Sequence, residues 1–221
     1  MRPSRSPVIA LLFGLAGCSG LLHSTAPPLQ LYVLQPPPMP APPVDASRPA
    51  AESAPRAIAP SLRISRPLPA AGLNTDRIAL LRPGNRLDYY AGGRWSGPLS
   101  DLVSDLELAV FRSDPTWSAV ADDRSGFNTD YLLQTSIDRF TAEYASESGP
   151  PLVHVDLHCL LIRRSDGSLV GSFALAESAP AQENRMGSVV AAFSQAAQQA
   201  ILAAQGRADQ LLRSVISPAA P

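Results

Sequence analysis

The chain has 221 residues and a formal net charge of −1; 45% of residues are hydrophobic, 6% aromatic and 17% charged. That length fits one ordinary domain with appendages, and the apolar fraction is enough for a packed core, which excludes a disordered chain. The balanced charge argues against a nucleic-acid partner, and two cysteines exclude both a disulfide-dense scaffold and a four-thiolate zinc site.

The front of the chain reads as an address. Arg2 and Arg5 precede an uninterrupted apolar run over residues 8–16. As a helix, nine residues span about 14 Å, too short for a bilayer core of about 30 Å. The run therefore reads as the apolar region of a secretory signal. It ends in Leu15-Ala16-Gly17-Cys18, which resembles a bacterial lipobox. There the small residues fit a peptidase and the cysteine thiol takes a diacylglyceryl group. An ordinary secretory signal with an incidental cysteine is the alternative. Cleavage before Cys18 leaves 204 residues and moves the net charge from −1 to −3, because Arg2 and Arg5 are lost. Acyl chains on Cys18 anchor the chain firmly, since one chain alone binds only marginally. By analogy with other bacterial lipoproteins, Ser19 points to the outer membrane and so to a periplasmic domain. Cys159 is then the only other cysteine, so no intrachain disulfide forms.

The expected organisation is a leader over residues 1–17, a lipid-anchored tether over 18–30 and a domain over 31–217. Prolines mark the front: 15 of 23 lie at or before Pro69. Residues 31–34 are β-prone. Residues 36–60 carry nine prolines, which bars helix and central strand and predicts an extended loop or linker. Leu62 and Ile64 suggest a strand closed by Pro67 and Pro69. Residues 78–81 form a short apolar strand, Pro83-Gly84-Asn85 a turn, and residues 87–91 a partner strand that Gly92-Gly93 ends.

Pro98 is placed at the first position of a helix whose apolar face holds Leu99, Leu102, Val103, Leu106 and Val110. Asp101, Asp105 and Glu107 are assigned to its wet side. Asp114-Pro115 stops the helix, and residues 117–120 suggest a short strand. Residues 129–144 and 152–164 are the clearest strands. Val153, Val155, Leu157, Cys159 and Leu161 alternate with His154, Asp156 and His158, so one face is buried and the other wet or covered by something polar. Residues 165–168 turn into a strand over 169–175. A helix then runs over residues 184–216, with an alanine-rich face and a bend expected at Gly206. Strands with one apolar face and two amphipathic helices give an α+β, two-layer sandwich: a mostly antiparallel or mixed sheet covered by two helices.

No catalytic constellation stands out. A Gly-rich phosphate loop and a Gly-x-Ser-x-Gly elbow are both absent. His154, Asp156 and His158 are metal candidates, with neighbours about 6.6–7 Å apart on one strand face. Three ligands along one straight strand seldom converge on one ion, so a solvated or oligomer-facing polar face is the other reading. Trp95 and Trp117 read as core or as partner-binding anchors. Cys159 reads as a small core residue.

These residues resemble the ABC-type transport auxiliary lipoproteins, the family of paraquat-inducible protein C. The likeness rests on several features in order. Tyr32-x-Leu34 follows the lipobox at Cys18, and Leu62-x-Ile64 comes with Pro67. Asp76-Arg77-Ile78 with Arg82 is followed by Trp95 with Pro98-Leu99. Asp130-x-x-Leu133 leads to Ile137 and Phe140, and the alanine-rich last helix completes the order. The likeness covers about residues 30–215 and departs where the Pro-rich segment intervenes after Tyr-x-Leu.

The resemblance implies a non-enzymatic, cofactor-free periplasmic partner of an intermembrane lipid-transport machine. Such a protein docks an MCE-domain protein and its ABC permease and ATPase, and forms a homo-oligomer at the outer membrane. A lipopolysaccharide-assembly-type lipoprotein plugging an outer-membrane barrel and a metal-dependent periplasmic enzyme are the alternatives. The lipobox makes a direct prediction: Cys18→Ala leaves the leader uncleaved and the chain without lipid, read by intact mass and by membrane fractionation. A normally lipidated Cys18→Ala protein would refute the lipobox.

Overall fold

A computed structural model describes residues 28–37, 59–146 and 149–216. The leader, Cys18, His23 and residues 38–58 of the Pro-rich stretch lie outside the described residues. The long alternating segments form β7 (Tyr131–Glu143), β8 (Leu152–Arg163) and β9 (Leu169–Pro180), an antiparallel meander. β7 is the centre of a nine-stranded mixed sheet. Its second edge is shared by three short strands in succession, all parallel to it. β2 (Ser61–Ile64) aligns with residues 131–133, β3 (Leu68–Pro69) with 136–137, and β4 (Arg77–Arg82) with 142–143.

Proline explains the division. Pro67 and Pro69 have no N–H to give β7, so pairing is interrupted. The chain nevertheless keeps its course: Ser65 N–H donates to Leu133 O at 3.0 Å and Ala70 N–H to Ile137 O at 2.8 Å. The expected single strand therefore ends at Ile64 and resumes as β3, which contains Pro69.

β5 (Arg86–Trp95) is antiparallel to β4, across a turn with φ +81° at Gly84 and +58° at Asn85. Both values lie in the left-handed region that a tight hairpin needs and that Gly and Asn tolerate. β5 continues through Gly92-Gly93 to Trp95, past the stop expected there, because Gly93 pairs with Gln30 within the sheet. Gly93 lies beside the Tyr32 ring, which a Cβ would meet at 2.8 Å. β1 (Gln30–Tyr32) runs parallel to β5 in this position, so the early β-prone run joins the sheet. β6 (Ala119–Ala121) pairs with β2, slightly later than the expected 117–120.

Two helices cover one sheet face. α1 (Leu99–Arg112) is capped by Pro98, which stands just before the first helical residue. Its seam is Leu99, Val103, Leu106 and Val110, all buried. α2 (Met186–Ile216) is continuous through Gly206 and lies along β8 and β9. Ala192, Ala196, Ala200, Ala204 and Ala208 are buried along it, so the helix axis can sit close to the sheet and to α1. Gln198 Nε2 donates to Gln35 O at 2.7 Å, tying the chain after β1 to α2.

The centre of the larger core is aromatic. Phe140 and Phe193 stack with ring centroids 4.9 Å apart, and Trp95 meets them edge-on at 6.0 and 5.4 Å. These rings join β5, β7 and α2. Phe193 is fully buried, so Phe193→Ala is expected to cost about 3–5 kcal/mol. The change is measured as a drop in urea midpoint with unchanged slope.

Candidate functional site

The sheet has a helix-covered face and an opposite face that nothing covers among the described residues. β8 divides its residues between the two. Val153, Val155, Leu157, Cys159 and Leu161 are buried under the helices, and His154, Asp156 and His158 are half-buried on the other side. Pairing gives each of these three its neighbours. His154 aligns with Thr141 and Ser178, Asp156 with Arg139 and Ala176, and His158 with Ser136 and Ala174. Among the described residues no group of three or more His, Cys, Asp and Glu is placed to hold a metal ion.

The polar chemistry of this face is ionic. Arg139 is paired with Glu143, and His154 Nε2 lies 3.5 Å from Glu143. The His154 imidazole is held below its ordinary value by partial burial and by the Arg139 charge, which together outweigh the Glu143 and Asp156 charges. It is therefore biased toward the neutral form near pH 7.

Trp95 and Trp117 are not on this face or any other. Trp95 is 2% and Trp117 5% exposed, so the partner-binding reading is corrected to core packing. Their positions explain it. Trp95 ends β5 under α2, and Trp117 packs edge-on to Tyr131, at 6.0 Å between centroids, in the second core cluster. Cys159 is fully buried and its thiol is pushed up to about 12, chiefly by burial. A thiol that remains protonated at pH 7 is a poor nucleophile.

Glu107, assigned to the wet side of α1 from its helical position, is fully buried. It sits between the two core clusters. Thr135 Oγ1 of β7 donates to its Oε1 at 2.7 Å and lies 3.7 Å from the Cys159 sulfur. Its Oε2 has no partner among the described residues. Burial pushes this carboxyl up to about 8, opposed only by the Thr135 bond. The misassignment has a physical cause. The buried arc of α1 also includes Ser100, Leu108 and Phe111, wider than the narrow apolar stripe that helical spacing picks out.

A second acid pair joins the end of α1 to α2. Asp114 accepts from Thr116 N–H at 2.8 Å and from Gln205 Nε2 at 2.7 Å. Burial raises the Asp114 carboxyl, but the bonds from Thr116, Gln205 and Asp209 outweigh it and hold the group below its ordinary value. Asp209 on α2 is pushed up to about 6, by burial first and then by Asp114. The pair is a structural clasp between the helices.

One open concavity of about 780 Å³ is lined by Asp130, Tyr131, Arg163 and Arg164 among others. Its arginines are engaged, Arg164 with Thr129 and Arg163 with Asp166.

The family model for the ABC-type transport auxiliary lipoprotein component matches residues 34–204. That span is most of the chain and holds every strand after β1, all of α1 and most of α2. The chain belongs to this family.

Among solved structures, a Xanthomonas campestris protein is similar at 25% identity and a TM-score of 0.65, over 71% of this chain and 88% of that one. A second, uncharacterized protein shares the fold at 13% identity and a TM-score of 0.59, over 81% of this chain and 97% of that one. No curated protein matches the chain. The α+β architecture is shared with solved structures similar to this chain. As a lipoprotein family, the auxiliary family places its members on a membrane of the cell envelope. Among the described residues no helix is long and apolar enough to cross a membrane.

Glu107 supplies a pH-dependent test. A carboxyl whose folded value is raised binds its proton more tightly folded than unfolded. Its cost to stability is absent below the unfolded value, 4.5, and grows as pH rises towards 8. Glu107→Gln should therefore leave stability at pH 4 nearly unchanged and raise it at pH 8 on the order of a few kcal/mol. Urea unfolding at the two pH values measures this; a pH-independent difference would contradict a protonated Glu107.

Proposed function

We propose that this auxiliary lipoprotein is a non-enzymatic docking subunit anchored to the periplasmic face of the outer membrane. It serves an ABC-type transporter by engaging an MCE-type protein that carries lipid between the membranes. Residues 1–17 are removed, Cys18 carries the lipid, residues 18–30 are the tether and residues 31–217 are the working domain, with residues 36–60 as a loop within it. The observation that carries this reading is the family match over residues 34–204 behind a Leu-Ala-Gly-Cys sequence at 15–18.

The physical character of the domain supports it. Its buried acids and thiol lie where no substrate reaches, and its uncovered sheet face is a mixture of small, charged and aliphatic groups suited to protein contact. With a mature net charge of −3, attachment to an anionic leaflet depends on the acyl chains of Cys18 rather than on overall charge. A homo-oligomer is part of the proposal, since an anchored ring can seat a conduit at its centre.

Density-gradient separation of the two membranes, followed by capture of a co-expressed cognate MCE-domain protein on the detergent-purified lipoprotein, tests the reading. The lipoprotein is expected in the outer-membrane fraction, larger than a monomer, with the MCE protein retained. Recovery in the inner membrane would overturn the location, and no retention of the MCE protein would overturn the docking role.

A further inference from the structure

β9 is the open end of the sheet. It is twelve residues long and pairs with β8 alone among the described residues. In an antiparallel edge strand, about half of the backbone N–H and C=O groups point away from the neighbour and stay unpaired. Long edges are usually blunted by lysine, bulges or inward charges. The chain has no lysine and β9 carries no arginine in its place, and its register irregularity lies at its start, between Leu161 and Ile162 of the partner strand. Its outer-face residues Ser172, Ala174, Ala176 and Ser178 are small, uncharged and exposed. The one acid of the strand, Glu177, lies opposite Val155 on the helix-covered face and is half-buried, an inward charge that guards only the far end of the edge, four residues beyond Phe173.

α2 runs close beside this strand. Leu211 rests on Gly171, where a Cβ would come within 2.7 Å of its side chain. That approach leaves a cleft of about 510 Å³ between strand and helix, lined by Ser172, Phe173, Leu211, Gln210, Ser214 and Arg207. Phe173 and Leu211 give it an apolar floor. Arg207 stands exposed at its rim, donates to Gln210 at 3.2 Å, and has no acidic partner among the described residues. A strand edge flanked by a helix, with a largely polar cleft that holds two apolar side chains and a spare cation between them, is the arrangement by which folded domains add an extended peptide to a sheet.

We propose that β9 and the adjoining face of α2 bind an extended segment of a partner protein. The segment adds to the sheet as a tenth strand through backbone hydrogen bonds. It sets an aliphatic or aromatic side chain over Phe173 and Leu211 and a carboxylate against Arg207. Strand addition supplies affinity from the backbone, and the cleft and Arg207 supply the choice of sequence. The inference does not depend on the membrane or the transporter assigned above.

The test uses a phage-displayed library of random peptides panned on the purified, lipidated protein in detergent. Selected sequences are expected to place an Asp or Glu near a large apolar residue. Their synthetic forms should bind about tenfold more weakly to Arg207→Glu, whose side chain is exposed and leaves the fold intact by circular dichroism. N-methylation of alternate peptide residues should abolish binding in one phase and spare it in the other, the signature of edge pairing. Failure to select any sequence, or binding indifferent to both Arg207→Glu and the phase of N-methylation, would overturn the proposal. Protection of β9 amides from hydrogen exchange by self-association in the absence of peptide would also overturn it, and would assign the edge to a second copy of the chain.

Discussion

β7 sets the register of the whole molecule. Its residues 131–143 pair with β8 along one edge and with β2, β3 and β4 in turn along the other. Every remaining strand reaches the sheet through one of those four: β5 and β1 through β4, β6 through β2, and β9 through β8. Leu133, Ile137, Phe140 and Ala142 therefore fix which face of each neighbour is apolar, because a shift of one residue would turn every side chain to the opposite face. The single irregularity in its pairing with β8, between Ile137 and Arg139, moves Phe140 onto the covered face, where it stacks on Phe193. The aromatic trio with Trp95 depends on that adjustment.

Burial of polar groups follows from the same geometry. Thr135 of β7 faces inward towards α1 and gives the fully buried Glu107 its hydrogen bond. A buried carboxyl in that setting is best kept neutral, since ionising it away from water costs far more than the bond returns. At the other end of α1, Asp114 and Asp209 share the work of joining the helices with Gln205 and Thr116. Both arrangements lock α1 to its surroundings.

What remains for function is on the outside. The uncovered sheet face combines the Arg139–Glu143 pair and His154 with small residues of β9. The β9 edge adds backbone groups with no strand neighbour among the described residues and a cleft beside α2. A membrane-anchored domain of this form acts through what it holds. Its packed layers keep the contact surfaces in place.

Much of the architecture was legible in the chain itself. Period-two alternation in residues 131–137 and 153–161 identified the two longest strands and the buried side of each, because a half-covered sheet demands it. Helical spacing identified both helices, and Leu15-Ala16-Gly17-Cys18 suggested the anchor without any fold. Four features needed the tertiary structure. Glu107 moved from the wet side to the core because helix burial is set by what surrounds α1, not by its own stripe of leucines. Trp95 and Trp117 went inside because β5 extends through two glycines and Trp117 meets Tyr131, contacts that lie far apart in sequence. His154, Asp156 and His158 share a face but face different neighbours, since a straight strand spreads its side chains instead of converging them. The open edge of β9 exists only once the order of the strands is known: alternation tells which face of a strand is apolar, and only pairing tells which edge has no neighbour.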